Sequence, residues 1–249
     1  MLTTTRQARI LQSLRADGQV TVEELAVEFG VSPSTVRRDL NALSAEGLLR
    51  RVRGGGGIEP DRVPFAEVAT HQSTQKTAIA ARAATLVRDG DVVLIDIGTT
   101  TALLARQLRG RRITVITSSL AVVDALRDDD AVELIVLGGV VRKNYSSMVG
   151  VLTEQALAQI RATVCFLGTS GIRADGTISD TTGTEVPVKL AMIASSQRTV
   201  VLADATKFPG VGLLSVCGAS AISAIVTEDH ADPATLAVLR TAKVEVMFS

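Results

Sequence analysis

Apolar positions along this chain follow two rhythms, and the change between them falls near residue 75. Over the first sixty residues the spacing is helical. Ile10, Leu11 and Leu14 share one face of residues 6–14, and Gly18 ends that stretch. Val20 leads into a second helix, where Thr21 and Glu24 stand at capping-box spacing. Leu25, Ala26 and Phe29 form its buried stripe, and Gly30 closes it. Only Val31 separates that glycine from Ser32, which opens a third helix with Pro33 in its first turn. In the third helix Val36, Leu40 and Leu43 point inward, leaving Ser34, Thr35, Arg37, Arg38 and Asn41 on the other faces. Gly47 ends this helix. Residues 48–53 then read as a strand and 54–57 as the tip of a β-wing. Two helices across a short glycine turn, followed by a basic strand, give the layout of a winged helix-turn-helix.

From residue 76 helical patterns alternate with short, almost wholly apolar runs. Helices are predicted over 76–88, 99–108, 120–127, 152–160, 186–195 and 233–241. Strands are predicted over 92–97, 113–117, 132–137, 164–167, 199–203, 224–227 and 244–248. Near-continuous apolar strands between helices predict an α/β domain with a mainly parallel sheet covered on both faces. The stretch between the two rhythms carries Pro60, Pro64 and mixed charge without a period. The expected organisation is a DNA-binding module over 1–58, a linker over 59–74 and an α/β domain over 75–249.

Composition narrows the class without deciding the function. The chain is 46% hydrophobic and 21% charged, ordinary for a globular protein, and its 26 basic residues balance 26 acidic ones. Affinity for nucleic acid must therefore come from local charge. Between residues 32 and 58 five arginines (Arg37, Arg38, Arg50, Arg51, Arg53) face two acids, Asp39 and Glu46. Ser32, Ser34, Thr35, Arg37 and Arg38 are the candidates for contacts in a major groove, and Arg50, Arg51 and Arg53 for flanking phosphates. A bundle that uses the same arginines against a protein is the competing reading. Cys165 and Cys217 lie far apart in apolar surroundings, as thiols of a reducing compartment do. No metal-ligand spacing, membrane-length apolar run or signal core is visible, so the expectation is a cytoplasmic protein without metal or cofactor.

Open α/β sheets bind ligands beyond the carboxyl ends of their strands. The first predicted strand ends in Asp96 and Gly98, followed by Thr99, Thr100 and Thr101 at a helix start, a seat suited to phosphate. Later strands end in Thr117-Ser118-Ser119, in Gly138-Gly139 with Arg142 and Lys143 close behind, in Gly168-Thr169 and in Asp204-Ala205-Thr206-Lys207. Small, polar or cationic groups at five successive strand ends suggest a pocket for a phosphorylated, hydroxyl-rich small molecule. Lys76 reads either as a second cation or as a solvated helix-face residue, and Lys189 has the same two readings. His71 and His230 are isolated, and Tyr145 is either an exposed loop residue or part of a lid.

These residues together resemble the DeoR family of bacterial transcriptional regulators. The likeness rests on Val31-Ser32-Pro33-Ser34-Thr35-Val36-Arg37-Arg38-Asp39-Leu40, on Arg50-Arg51-Val52-Arg53-Gly54-Gly55, on Lys76 with Ile79-Ala80, on Asp96 through Thr101, on Gly138-Gly139 and on Asp204 through Phe208. It spans nearly the whole chain. It implies a repressor with an effector domain similar in fold to ribose-5-phosphate isomerase, a sugar phosphate or related metabolite as signal, and release of DNA by that signal. A module this small also implies a homodimer or homotetramer on a duplex operator. The chain departs from the family at Ser118, Thr169-Ser170 and Arg53, where Asn, Ala-Asp and His are usual. The alternative, a sugar-phosphate isomerase with an accessory DNA module, needs a carboxylate base. Thr169, Ser170 and Val188 stand where the related enzymes carry acids, and only Glu185 is nearby, so no catalytic residue is assigned.

Overall fold

The computed structural model describes residues 6, 7, 9, 10, 13, 19–45, 49–52, 54–57, 65, 73–210 and 212–249. The chain forms two compact units, Met1–Val63 and Pro64–Ser249. Leu11, Leu14, Gly18, Gly47, Arg53 and His71 lie outside the described residues.

In the first unit, helices α1 (Val22–Phe29) and α2 (Pro33–Ala45) sit beside a three-stranded antiparallel sheet. Thr21 caps α1 as its spacing predicts. The Glu24 N–H donates to Thr21 Oγ1 at 3.2 Å and the Thr21 N–H to Glu24 Oε2 at 3.2 Å. Gly30 ends the helix at φ 63°, a left-handed position that suits glycine. Val36, Leu40 and Leu43 of α2 are buried with Ile10, Val20, Val22, Leu25, Ala26 and Leu49 in one small core.

Two expectations change here. Val20 does not lead straight into a helix: Gln19–Thr21 is strand β1. Nor are the wing glycines all turn. Arg50–Val52 is β2, and Gly55–Gly57 is β3, the central strand of the order β1-β3-β2. A Cβ on Gly55 would fall on the Val20 carbonyl oxygen, so the ladder between β1 and β3 closes only around glycine there. Among the described wing glycines the turn is left to Gly54, at φ 87°.

The second unit is built on seven parallel strands: β4 (Val92–Ile95), β5 (Thr114–Thr117), β6 (Glu133–Val136), β9 (Val164–Gly168), β12 (Thr199–Leu202), β14 (Ala224–Thr227) and β15 (Glu245–Phe248). Their order is β15-β14-β12-β9-β4-β5-β6. Alternate residues feed two cores. Val93, Ile95 and Phe166 pack with Ile79 and Leu104, contributed by α3 (Ser73–Ala84) and α4 (Thr99–Gln107). Leu94, Cys165 and Leu167 pack on the opposite face with Val188, Met192 and Leu236, from α7 (Val186–Ala194) and α8 (Pro233–Thr241). Helices α5 (Leu120–Leu126) and α6 (Val151–Leu157) complete the crossovers.

Periodicity alone does not reveal two antiparallel additions. One is the hairpin of β7 (Val140–Arg142) and β8 (Ser147–Val149). The other is a small sheet of β10 (Gly171–Ile172), β11 (Ile178–Asp180) and β13 (Leu214–Cys217). Their strands are two to four residues long, too short to show an alternation.

Strand order reverses between β4 and β9. Chain growth runs one way from β4 through β5 to β6 and the other way from β9 onward, which opens a crevice at the carboxyl ends of these two strands.

Candidate functional site: a groove-reading helix and a charged crevice

On α2, Ser32, Ser34, Arg37 and Arg38 are exposed and Thr35 is half-buried. Ser32 is the helix cap: its Oγ accepts from the Thr35 N–H at 3.2 Å and lies 2.8 Å from Ser34 Oγ and 2.9 Å from Thr35 Oγ1. Asp39, within the same basic stretch, is buried and holds Arg6 through two hydrogen bonds, at 2.5 and 3.1 Å. The second member of the Arg37-Arg38-Asp39 run of charges thus faces outward while the third anchors the preceding helical segment. Arg50 and Arg51 are on β2.

At the crevice, Asp96 follows β4 and is fully buried. Its Oδ2 accepts the Gly168 N–H from the end of β9 at 2.9 Å. The same oxygen takes a short hydrogen bond from Lys189 Nζ. Lys189 also donates to the Gly168 carbonyl at 2.9 Å, and Asp180 Oδ2 from β11 stands 3.6 Å away. Burial alone pulls the Lys189 ammonium down, but Asp96 and Asp180 outweigh it and hold the group well above its ordinary value. Lys189 is therefore a buried cation locking β4, β9, β11 and α7 together, which neither of its two sequence readings anticipated. The Gly168 position admits no side chain, since a Cβ there would lie 2.6 Å from the Ile97 carbonyl oxygen.

Gly98 then takes φ 134°, open to glycine, and starts α4 without a side-chain cap. Thr101 Oγ1 donates to the Gly98 carbonyl at 2.9 Å, and Thr100 is buried while Thr99 is half-buried. The first amides of α4 have no partners within the helix and make up the positive end of its dipole.

The remaining strand ends differ in kind. Ser118 and Ser119 are fully buried; Ser119 caps α5, and Ser118 Oγ has no hydrogen-bond partner. Gly138 and Gly139 serve close packing: the Gly138 carbonyl accepts Thr153 Oγ1 at 2.7 Å, and a Cβ on Gly139 would lie 2.6 Å from the Val149 carbonyl oxygen. Thr169 turns its hydroxyl toward the small sheet, with the Gly171 and Ser179 carbonyls at 2.9 and 3.0 Å. Asp204 caps the short turn Ala205–Lys207, accepting the Thr206 N–H at 3.1 Å. Lys76 on α3 is buried; desolvation lowers its pKa, against the opposing pull of Asp204 and with the help of Lys207. The structure thus draws Lys76, Asp204 and Lys207 into one electrostatic neighbourhood. His230 is exposed beside Glu228 and Asp229.

Glu185, at the start of α7, is 1% exposed. Its Oε1 accepts Arg142 Nη1 at 2.6 Å and Ser147 Oγ at 2.8 Å, while Oε2 has no partner. Burial and the charge of Asp96 push its carboxyl up, opposed by Lys189, Ser147 and Arg142. Arg142 also reaches Thr182 Oγ1 at 3.2 Å and lies 4.0 Å over the Tyr145 ring. Sequence reading places Arg142 only as a cation behind Gly138-Gly139, and it misses Asp180 and Ser147. The only signal was Glu185 and Lys189 at helical spacing on an otherwise apolar helix.

A helix-turn-helix unit joined to an α/β unit with a charged crevice defines a transcriptional regulator with a sensor domain. Comparison with known proteins agrees. The profile described as DeoR-like helix-turn-helix domain matches residues 6–59, and that described as DeoR C terminal sensor domain matches 71–229. The chain belongs to the DeoR family. It is 31% identical over 231 residues to the glycerol-3-phosphate regulon repressor of Escherichia coli K12, covering 92% of each chain. It is 32% identical over 237 residues to the lactose phosphotransferase system repressor of Lactococcus lactis subsp. lactis, again covering 92% of each. The transcriptional regulator GolR of Listeria innocua serovar 6a is 31% identical over 233 residues, with the same coverage. Such relatives are regulators and not enzymes, which disfavours the isomerase alternative. A ribose 5-phosphate isomerase from Methanocaldococcus jannaschii superposes on 55% of this chain and 54% of its own, with TM-score 0.41 and 19% identity. Among the described residues no helix is long and apolar enough to cross a membrane.

Proposed function

We propose that this protein is a cytoplasmic repressor that binds a duplex operator through α2 and the wing and lets go when a phosphorylated sugar or related metabolite fills the crevice. Arg37 and Arg38, with Ser34 and Thr35, read the major groove, and Arg50, Arg51 and Arg53 hold flanking phosphates. Residues 59–74 join the DNA module of 1–58 to the sensor of 75–249. Two or four copies assemble through the sensor, because one module of this size makes too few phosphate contacts to bind alone.

The observation that carries the ligand assignment is the glycine-opened, uncapped start of α4 at the β4/β9 reversal. The amides of Thr99, Thr100 and Thr101 suit a phosphate there. Lys76 and Lys207 add positive charge, and Asp96, Ser118, Ser119, Gly138, Gly139 and Thr169 frame the hydroxylated part. The names of the glycerol-3-phosphate and lactose phosphotransferase relatives support a signal of this class.

Thermal unfolding of the full chain tests the reading. Glycerol 3-phosphate, ribose 5-phosphate, fructose 6-phosphate and inorganic phosphate are added in turn at millimolar concentration. At least one sugar or polyol phosphate raises the melting temperature by mass action, and Lys207→Ala removes most of the rise. No rise with any of them overturns the assignment.

A further inference from the structure

Glu185 is a buried carboxylate short of donors. Both of its hydrogen bonds go to Oε1, and Oε2 has none. Three other buried polar atoms at the carboxyl end of the sheet lack partners, and two of them, Asp96 Oδ1 and Ser118 Oγ, belong to the β4 and β5 ends. They are close to Glu185 in chemistry and in structure: Asp96 raises its pKa, and the Ser118 carbonyl accepts from Met148, next to the Ser147 that donates to Glu185. The two carboxylate oxygens accept and cannot donate while ionised, so what completes them must bring hydrogen-bond donors, and the hydroxyls of a polyol are donors of that kind.

The donor already on Glu185 comes from the β7–β8 hairpin. A two-stranded ribbon is marginal by itself and depends on what fastens it. This one is in no larger sheet, and Val140 and Val141 are 70% and 50% exposed. On the β8 side Val149 is buried in the sensor core; the other fastenings are polar: Arg142 and Ser147 to Glu185, the Met148 N–H to the Ser118 carbonyl at 2.8 Å, and the Leu120 N–H to the Ser146 carbonyl at 2.7 Å. Ser146 sits at φ 49°, a strained position for serine. The hairpin tip also holds the incoming chain, for the Phe65 N–H donates to the Asn144 carbonyl at 3.0 Å. Phe65 is the second residue of the sensor unit, directly after the boundary with the DNA-binding unit.

We propose that Arg142 and Glu185 form a latch that a ligand hydroxyl tightens, and that the β7–β8 hairpin passes this change to Phe65 and so to the linker. The inference rests on the crevice holding a hydroxylated phosphate. A hydroxyl donated to Glu185 Oε2 completes the carboxylate only while Arg142 keeps it ionised and in place. Ligand therefore binds the latched arrangement better and raises its population. Glu185 reads the hydroxylated end of the molecule and does not contact its phosphate, which like charge keeps away.

Amide hydrogen exchange on the full chain decides the matter. Without any ligand, Arg142→Met speeds exchange at Leu120, Met148 and Phe65 by roughly tenfold or more, while Val93–Ile95 amides, deep in the sheet, report an intact fold. Unchanged exchange at Phe65 in that variant overturns the latch. In the second arm, whichever of glycerol 3-phosphate, ribose 5-phosphate and fructose 6-phosphate stabilises the wild type most slows exchange at the same three amides. Inorganic phosphate does not, and Glu185→Gln loses the distinction. Equal slowing in wild type and Glu185→Gln overturns the reading role of Glu185. If none of the sugar phosphates stabilises the wild type, it is the proposed function that falls, and the Arg142→Met result alone judges the hairpin coupling.

Discussion

The two units of this chain put charge to opposite uses. In the DNA-binding unit Arg37 and Arg38 are exposed on a helix whose other face is apolar. In the sensor unit Asp96, Asp180, Lys189 and Glu185 are all buried: Asp96 and Asp180 at strand ends, Glu185 at the start of α7 and Lys189 on it. Surface charge reaches outward to a large polyanion with little rearrangement. Buried charge fixes elements in place, and it leaves acceptors such as Glu185 Oε2 waiting for a donor. The first unit is shaped to touch, the second to register what enters it.

Substitutions can break that contrast, and the largest effect belongs to the sensor. Lys189→Met leaves Asp96 and Asp180 without their cation, and removing one partner of a buried pair costs about 3–5 kcal/mol. Urea unfolding of the sensor transition measures it; a cost below 1 kcal/mol would put Lys189 among ordinary surface ion pairs. In the other unit, Arg37→Ala and Arg38→Ala leave unfolding unchanged and weaken operator binding, by about 1–3 kcal/mol where a bidentate base contact is lost. Gel-shift titrations across a salt series separate the roles: a residue on phosphate also lowers the slope of log K against log salt by about 1. Loss of folding in either variant contradicts their exposure. Thr21→Ala removes the capping box of α1 and lowers the stability of the DNA-binding unit by about 1 kcal/mol, read from its thermal transition.

The smallest effect is on pH dependence. Glu185 has a folded pKa raised above its unfolded value, so the folded state holds that proton more tightly. Its contribution to stability is greatest below the ordinary glutamate range and is lost as pH rises through the raised value. Unfolding midpoints of wild type minus Glu185→Gln should fall with pH over that window. A flat difference would mean that Arg142 and Ser147 fully compensate the burial.

Legibility in the sequence followed the same division. Thr21, Glu24, Gly30, Val36, Leu40 and Leu43 act locally or through a regular period, and each does in the structure what its spacing predicts. The parallel strands were also readable, because runs such as Val92–Ile95 and Thr199–Leu202 are apolar on both faces. Asp96 with Lys189 was not readable: the two are 93 residues apart, and a lysine on a helix counts as solvent-facing in any periodic pattern. Asp180 and Ser147 sit on strands of three residues, below the length at which alternation shows. Gly55 to Gly57 read as a turn in the sequence because glycine runs usually are one; the close approach of Val20 is what suits them to a strand.

That bare middle strand has a consequence for the wing as a tool. With no side chains of its own, β3 is held by its ladders to β1 and β2, and β1 runs without a break into the capped start of α1. A methyl group at residue 55 would press on the Val20 carbonyl and so on the threonine that opens the helix. Push on the wing, as a curved duplex would, and the load is delivered to the end of a helix two elements away through main chain alone.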